Sequence, residues 1–209
     1  MPGDASTEAG VELLIGSARE LAGPIVVYCA NAGVAHAGLV EVDERAWETS
    51  WQVNVMAHVR ASNALIPQWV SQGHGKFVST VSAAGLLTIP GAAPCAVTQH
   101  AAYAYAERLS MTYAYAGVRV HAVCPQGMRT QMLEDFGAAG KALMGESAIE
   151  ADDVAAALLA AIELGQFLVL PHPEVGPMYA GRAADPDRWL AGMRRLSARI
   201  SPRDHQPRR

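Results

Sequence analysis

The sequence predicts an α/β fold in which a parallel sheet is flanked by helices. Short runs rich in Val and Ile alternate with segments whose apolar residues recur every three or four positions. This alternation implies parallel strands joined by right-handed helical crossovers. The 209 residues, 51% hydrophobic and 17% charged, are enough for one packed domain with a sizeable core. We expect that domain over residues 1–184, a C-terminal amphipathic helix over 185–200 and a disordered tail over 201–209.

The first half of the chain is predicted to hold two helices and two strands. Apolar residues at helical spacing end at Gly23-Pro24, which indicates a helix and its stop. The unbroken, β-branched run Pro24–Ala30 predicts a strand covered on both faces. A glycine-containing loop follows, and Asp43 can cap a long helix that reaches about Gln72. Lys76–Val81 is the second predicted strand.

The second half repeats the pattern. A loop rich in Gly and Pro leads to a helix from about Cys95 to Ala116, which Gly117 ends before the strand Val118–Val123. The remaining predicted elements are an alanine-rich helix opened by Asp152 and Asp153 and ending at Leu164, the strand Gln166–Leu170, and an amphipathic helix over Asp185–Ile200.

Composition argues against several classes of function. A net charge of −4 offers no electrostatic reason for nucleic-acid binding, and the seven histidines lack the spacing of a zinc site. The polar first ten residues do not resemble a signal peptide, and no uncharged apolar run is long enough to span a membrane. Cys29 and Cys124 lie in apolar runs and are predicted to be buried thiols, which suits the reducing cytoplasm.

Polar and glycine residues follow three predicted strands at the point where each ends. They are Asn31-Ala32-Gly33, Ser82 and the segment Pro125–Thr130. Each is ordinary turn chemistry when taken alone. Their shared position matters because open α/β sheets bind ligands at the carboxyl ends of their strands. Asn54, within the following helix, is a further polar candidate.

Together with Cys95-Ala96-Val97-Thr98-Gln99, thirteen residues after Ser82, these features resemble the short-chain dehydrogenase/reductase family over roughly residues 4–170. Asn31-Ala32-Gly33 matches the NNAG motif, with Ala30 in place of its first Asn. Pro125–Thr130 matches the PGxxxT motif, with Gln126 in place of its Gly. The resemblance implies a partial Rossmann-like, doubly wound sheet made of strands 4–7 of the family fold.

The resemblance also implies roles for individual residues. Ser82 would hydrogen-bond the substrate oxygen, and Asn54 would hold a proton-relay water. Cys95 and Gln99 occupy the positions of the family's catalytic Tyr and Lys, so the catalytic candidates are Ser82, Asn54, Cys95 and Gln99. With NAD or NADP as the cofactor, the candidate binding residues are Asp4, Asn31, Ala32, Gly33, Gln99, Pro125, Met128 and Thr130. No metal is expected.

The catalytic pair departs from the family pattern. The family's Tyr transfers the proton, and its Lys, four residues on, lowers the pKa of that Tyr and binds the ribose. Gln99 can hydrogen-bond a ribose but carries no charge, and no Tyr-x-x-x-Lys occurs anywhere in the sequence. The family reaction is therefore expected to be impaired, by about 10²–10⁴-fold if general acid–base help is lost.

Cys95 admits two interpretations. It could serve as a nucleophile or an alternative acid, since a thiol has an ordinary pKa of about 8.5. We favour the other interpretation, a small buried apolar replacement, because no Lys or Arg lies beside it in the sequence.

The amino-terminal part is the second departure from the family. The family's Thr-Gly-x-x-x-Gly-x-Gly phosphate loop is absent, and no Thr-Gly dipeptide occurs. Asp4 matches the Asp at the end of the family's third strand. The run Pro24–Ala30 would then form a bare apolar edge, which predicts association with another chain.

Three functions are compatible with these observations. The first is an NAD(P)-dependent oxidoreductase, damaged or inactive, whose substrate is a small apolar alcohol or ketone. Its substrate loops would contribute Leu86, Leu87, Ile89, Met128, Met132 and Phe136. The second is a non-catalytic module that forms a homo-oligomer or pairs with an intact homologue, and the third is the downstream fragment of an interrupted gene.

Overall fold

A computed structural model of the chain contains a four-stranded parallel sheet of order β1-β2-β3-β4. The structure describes residues 3–38, 41–135 and 144–200. The strands are β1 Val27–Ala30, β2 Gly75–Thr80, β3 Val118–Val123 and β4 Leu168–Val169. This sheet confirms the predicted α/β class, the parallel direction and the strand sequence. The first and last strands are shorter than their predicted runs, and within the described residues each pairs on one side only.

Helices connect the strands and continue beyond the last one. They are α1 Glu8–Ala22, α2 Glu44–Trp51, α3 Ala57–Gln72, α4 Ala84–Leu87, α5 Ala93–Tyr113, α6 Gln131–Asp135, α7 Ala151–Leu164, α8 Val175–Ala184 and α9 Pro186–Ile200. The sequence pattern did not predict α4, α6 or α8. The proposed division into domain, terminal helix and tail stays a prediction, and residues 201–209 lie outside the described part.

The larger core lies on one face of the sheet, under α1, α3 and α5. Phe77 of β2 and Val120 of β3 point into it, and Trp69 of α3 is completely buried there. The Trp69 indole donates to the carbonyl of Ile25 over 2.7 Å, which ties α3 to the entry of β1. Gly75 opens β2 because a Cβ at that position would overlap the Trp69 side chain.

The opposite face of the sheet is only partly covered. Helix α7 packs against β3 and β4, and Val78 of β2 joins its core. Val27 and Cys29 of β1 project on this same face, and both are exposed. The prediction that Pro24–Ala30 is covered on both faces is therefore wrong, and so is the prediction of a buried Cys29. Cys124 is buried as predicted.

The predicted helix from Asp43 to Gln72 is not continuous. Asp43 does cap it, since its carboxylate accepts a hydrogen bond from the amide of Arg45 over 3.0 Å. A π-helical segment over Gln52–Met56 separates α2 from α3. Such widened turns are rare and occur frequently at functional sites. Asn54 lies at its centre.

Within the described ranges, no helix is long and apolar enough to cross a membrane. Those ranges also contain no group of three or more His, Cys, Asp or Glu side chains placed to hold a metal ion.

Candidate active site

A cleft of about 340 Å³ opens at the carboxyl ends of the central strands. The loops that follow β1, β2 and β3 form its walls, and the first turns of α5 close one side. Eight predicted site residues line it, namely Asn31, Gly33, Ser82, Cys95, Gln99, Pro125, Met128 and Thr130. The structure thus brings together residues that are widely separated in the sequence.

Helix α5 presents Cys95 and Gln99 to the cleft one turn apart. Each is 8% exposed, because the start of α5 lies against the loop that follows β2. Burial raises the pKa of the Cys95 thiol to about 11. The thiol is therefore protonated at neutral pH, which supports the interpretation of Cys95 as a buried replacement rather than a nucleophile.

Gln99 holds a buried polar atom without a partner. Its side-chain Oε1 makes no hydrogen bond within the described part of the chain. The backbone of Gln99 packs closely on α4, because a Cβ on Gly85 would lie 2.7 Å from the Gln99 carbonyl oxygen. An unpaired buried acceptor costs about 1–3 kcal/mol, so a hydrogen-bond donor that reached it would be stabilised.

Ser82 lies in the loop after β2, where its hydroxyl bridges two loops. Its Oγ donates to the Pro125 carbonyl at 3.5 Å and accepts from the Ala84 amide at 3.1 Å. The side chain is half-buried at the cleft wall. The long donor contact leaves the hydroxyl able to turn toward a molecule in the cleft.

Asn54 does not line the cleft but holds its wall in place. Its Oδ1 accepts from the amide of Val34, and its Nδ2 donates to the Val34 carbonyl and to Thr98 Oγ1, all over 2.9 Å. Both side-chain amide hydrogens of Asn54 are therefore hydrogen-bonded to protein acceptors. Asn54 joins the loop after β1 to α5, between the positions of Cys95 and Gln99.

The loop after β3 supplies the wall opposite α5. Met128 forms an isolated bridge with Ile149, and the Arg129 amide donates to the Ile149 carbonyl over 3.0 Å. The Thr130 hydroxyl donates to the Met128 carbonyl at 3.4 Å. Gln126, which replaces the family's Gly, also faces the cleft.

Several predicted residues lie elsewhere. Asp4 is exposed before α1, and its carboxylate accepts bonds from the amide and hydroxyl of Ser6, which lower its pKa. Ala32 is exposed and does not line the cleft. Of the predicted substrate residues, Ile89, Met128 and Met132 line the cleft, whereas Leu86 and Leu87 belong to the core and Phe136 lies outside the described residues.

Sequence reasoning missed His172. This residue follows β4 and is 2% exposed, with its ring nitrogens bonded to the loop after β3. Its only sequence signal is a lone His between two prolines, which does not reveal a distant partner.

Comparison with known proteins agrees with this geometry. The family model for short chain dehydrogenase matches residues 1–140. The chain belongs to the short-chain dehydrogenase family.

Two curated oxidoreductases and dehydrogenases show moderate similarity to the chain. Oxidoreductase UcpA of Salmonella typhimurium is 27% identical over 187 residues, which cover 88% of this chain and 68% of that protein. A 1-deoxy-11-beta-hydroxypentalenate dehydrogenase of Streptomyces exfoliatus is 29% identical, with 78% and 61% covered. The chain therefore spans roughly two thirds of the length of these curated relatives.

A solved structure supports the same family fold. The short chain dehydrogenase/reductase from Burkholderia phymatum, in complex with NAD, superposes with a TM-score of 0.80 at 26% identity. The match covers 90% of this chain and 75% of that one.

The described residues fit only one end of such a dinucleotide. Gln99, Thr130 and the backbone from Pro125 to Met128 could hold a nicotinamide and its ribose, and the unpaired Gln99 Oε1 is consistent with an absent donor. The described lining of the cleft includes no Lys or Arg that could pair with phosphates. Asp4, a predicted cofactor-binding residue, is already bonded to Ser6.

Proposed function

We propose that the chain is a short-chain dehydrogenase/reductase homologue in which NAD(P)-dependent oxidoreduction of an alcohol or ketone is strongly impaired. In this proposal the cleft retains the ability to bind a small apolar alcohol or ketone. One observation carries it. The described lining of the cleft contains no Tyr, Lys, His, Asp or Glu, and its one thiol has its pKa raised to about 11.

Without such a group, the cleft can bind a ligand but cannot readily transfer the proton that the reaction requires. Carbonyl reduction needs an acid near the substrate oxygen, and alcohol oxidation needs a base there. Ser82 can hydrogen-bond that oxygen but cannot exchange a proton efficiently, because a hydroxyl is too weakly acidic at neutral pH. Loss of general acid–base catalysis lowers the reaction rate by about 10²–10⁴-fold.

The character of the cleft supports the ligand class. Ile89, Met128, Met132, Leu133 and Met144 offer apolar surface, while Ser82 and Gln99 offer hydrogen bonds. A few polar groups in an apolar cleft are typical of sites for small, uncharged molecules.

A matched pair of ligands and a double variant test the proposal. Acetophenone and 1-phenylethanol should bind the wild-type chain in NMR titrations, while turnover with NADH or NADPH stays at background. Cys95→Tyr/Gln99→Lys should raise turnover by about 10²–10⁴-fold if the cofactor binds. Wild-type turnover well above background, and as fast as that of the double variant, would overturn the proposal.

Calorimetry with NAD(H) and NADP(H) decides a separate question. Affinity weaker than millimolar would remove the cofactor-dependent interpretation for this chain, and the cleft would be left as a binding site alone.

The uncovered face of β1 favours a second candidate function. Val27 is 42% exposed beside the exposed Cys29, on a strand that pairs only with β2 in the described residues. Such a strand can pair with another chain. The chain would then act as a partner module for a second copy or an intact homologue, and failure to co-purify with any homologue or to self-associate would remove this candidate.

A further inference from the structure

His172 joins three separate parts of the chain behind the cleft. It lies between β4 and α8. Its ring contacts the loop after β3 and the segment before α7, which comprises residues 144–150. The Gln126 amide bonds to His172 Nδ1 over 3.1 Å. His172 Nε2 lies 3.1 Å from the carbonyl oxygens of both Gly127 and Ser147.

These contacts define the protonation state of the ring. A backbone amide can only donate, so Nδ1 must be an unprotonated acceptor. Two carbonyl oxygens can only accept, so Nε2 must carry the hydrogen. The ring is therefore neutral, with its proton on Nε2, and each polar atom has a partner.

The residues that His172 holds are residues of the cleft. Gln126 and Gly127 line it, and a Cβ on Gly127 would lie 2.7 Å from the Met144 carbonyl oxygen, so the loop and this segment are in close contact. The Ile149 amide also donates to the Gly127 carbonyl over 3.2 Å. A shift at His172 would therefore move the wall opposite α5.

We propose that His172 is a positioning residue that sets the Gln126–Gly127 wall of the cleft. This role rests on the proposed function only insofar as the cleft is the binding site. The placement of the loop itself is independent of any ligand.

The test compares His172→Phe with His121→Phe. His121 is a matched control because it is also buried, donates one hydrogen bond from Nδ1 to a backbone carbonyl (Gln166, 2.6 Å), and does not line the cleft. In His172→Phe, amide exchange at Gln126 should accelerate at least about tenfold relative to the amides of α3, because the Gln126 amide and the Gly127 and Ser147 carbonyls each lose a hydrogen bond to the ring. His121→Phe should leave that ratio unchanged. An unchanged ratio in His172→Phe would overturn the proposal.

Two further readouts separate positioning from general stability. His172→Asn retains an acceptor near Nδ1 and should restore part of the Gln126 protection. In the wild-type chain, ring ¹⁵N NMR should show Nδ1 unprotonated, and a protonated Nδ1 would refute the assignment even if the variants fail to fold.

Binding of 1-phenylethanol then relates the wall to the cleft. Affinity should fall at least about fivefold in His172→Phe and stay within twofold in His121→Phe. If the wild-type chain does not bind this probe, the proposed ligand class fails, while the exchange result still decides the role of His172.

Discussion

The resemblance predicts that Cys95 occupies the position of the family's proton donor, yet burial lowers the acidity of its thiol. The thiol is 8% exposed, and burial raises its pKa to about 11. Cys29 offers the contrast within the same chain, because it is exposed on the uncovered face of β1. Residue type alone would have made both thiols equally reactive.

Iodoacetamide should therefore modify Cys95 at least about a hundredfold more slowly than a model thiol near neutral pH. Its thiolate population is small and the side chain is shielded. Cys29 should react fastest of the three cysteines, as measured by mass spectrometry of the labelled peptides. Labelling of Cys95 as fast as the model thiol would restore the nucleophile hypothesis.

His58 is the residue through which acid should affect stability most. Its ring is 1% exposed, bonded to Ser79 Oγ over 2.9 Å, and burial lowers its pKa from 6.5 to about 4. The unfolded chain binds the proton more tightly, so stability is complete above about pH 6.5 and declines as the pH falls toward 4. The loss reaches on the order of 3 kcal/mol.

Urea unfolding at pH 7 and at pH 4.5 measures this dependence. His58→Asn keeps a polar atom near Nδ1 but does not titrate, so it should flatten the profile even if it lowers stability at pH 7. His100 and His121 also have lowered pKa values and contribute in the same direction. A wild-type profile that is flat between pH 7 and 4.5 would contradict the prediction.

At the scale of elements, contacts distant in sequence reshape what local pattern predicts. The period of apolar residues favours one helix from Asp43 to Gln72. The structure instead has a π-helical segment at Gln52–Met56, and Asn54 within it bonds to Val34 and Thr98, twenty and forty-four positions away. The amino-acid sequence of the segment does not predict those partners.

Helix ends offer a quantitative test of such contacts. Gly117 and Gly165 both follow a helix with positive φ, of +81° and +68°. A Cβ on Gly117 would overlap the Gly73 carbonyl, whereas Gly165 has open space around it.

Gly165→Ala should therefore lower the free energy of unfolding by about 1 kcal/mol, the cost of the left-handed backbone alone. Gly117→Ala should cost about 3 kcal/mol or more, because the backbone must also move. Chemical denaturation of the two variants measures the difference. Equal losses of unfolding free energy would show that the close approach of Gly117 to Gly73 does not affect stability.

For the whole molecule, the sheet order decides which surfaces remain uncovered. Strand β1 is at one end of the order, and α7 covers only the far strands on one face. The exposed apolar residues Val26 and Val27 are the direct result. Association through this strand is the expected behaviour.

Light scattering should find a mass above that of one chain for the wild type. Val27→Lys should shift the distribution toward the single chain, because a charge on an edge strand opposes pairing. Leu159→Lys is the control, since Leu159 is 63% exposed on α7 and the charge change is the same. A monodisperse wild-type monomer would contradict the prediction.

The sequence by itself determined the fold class and the position of the cleft. Strand runs, helical spacing and the residues at strand ends suffice for these because they depend on local pattern and on the direction of parallel strands. The resemblance to known motifs identified the family and is what aligns Cys95 and Gln99 with its catalytic positions. Ser82, Met128 and Thr130, at the ends of strands, line the cleft wall.

Only the tertiary structure decided what surrounds those residues. Four properties depend on residues that are distant in the chain. They are the burial that raises the pKa of Cys95, the exposure of Cys29, the hydrogen bonds made by both Asn54 amide hydrogens, and the hydrogen bonds of His172. Burial and hydrogen-bond satisfaction are properties of packed neighbours, and a one-dimensional pattern does not identify those neighbours.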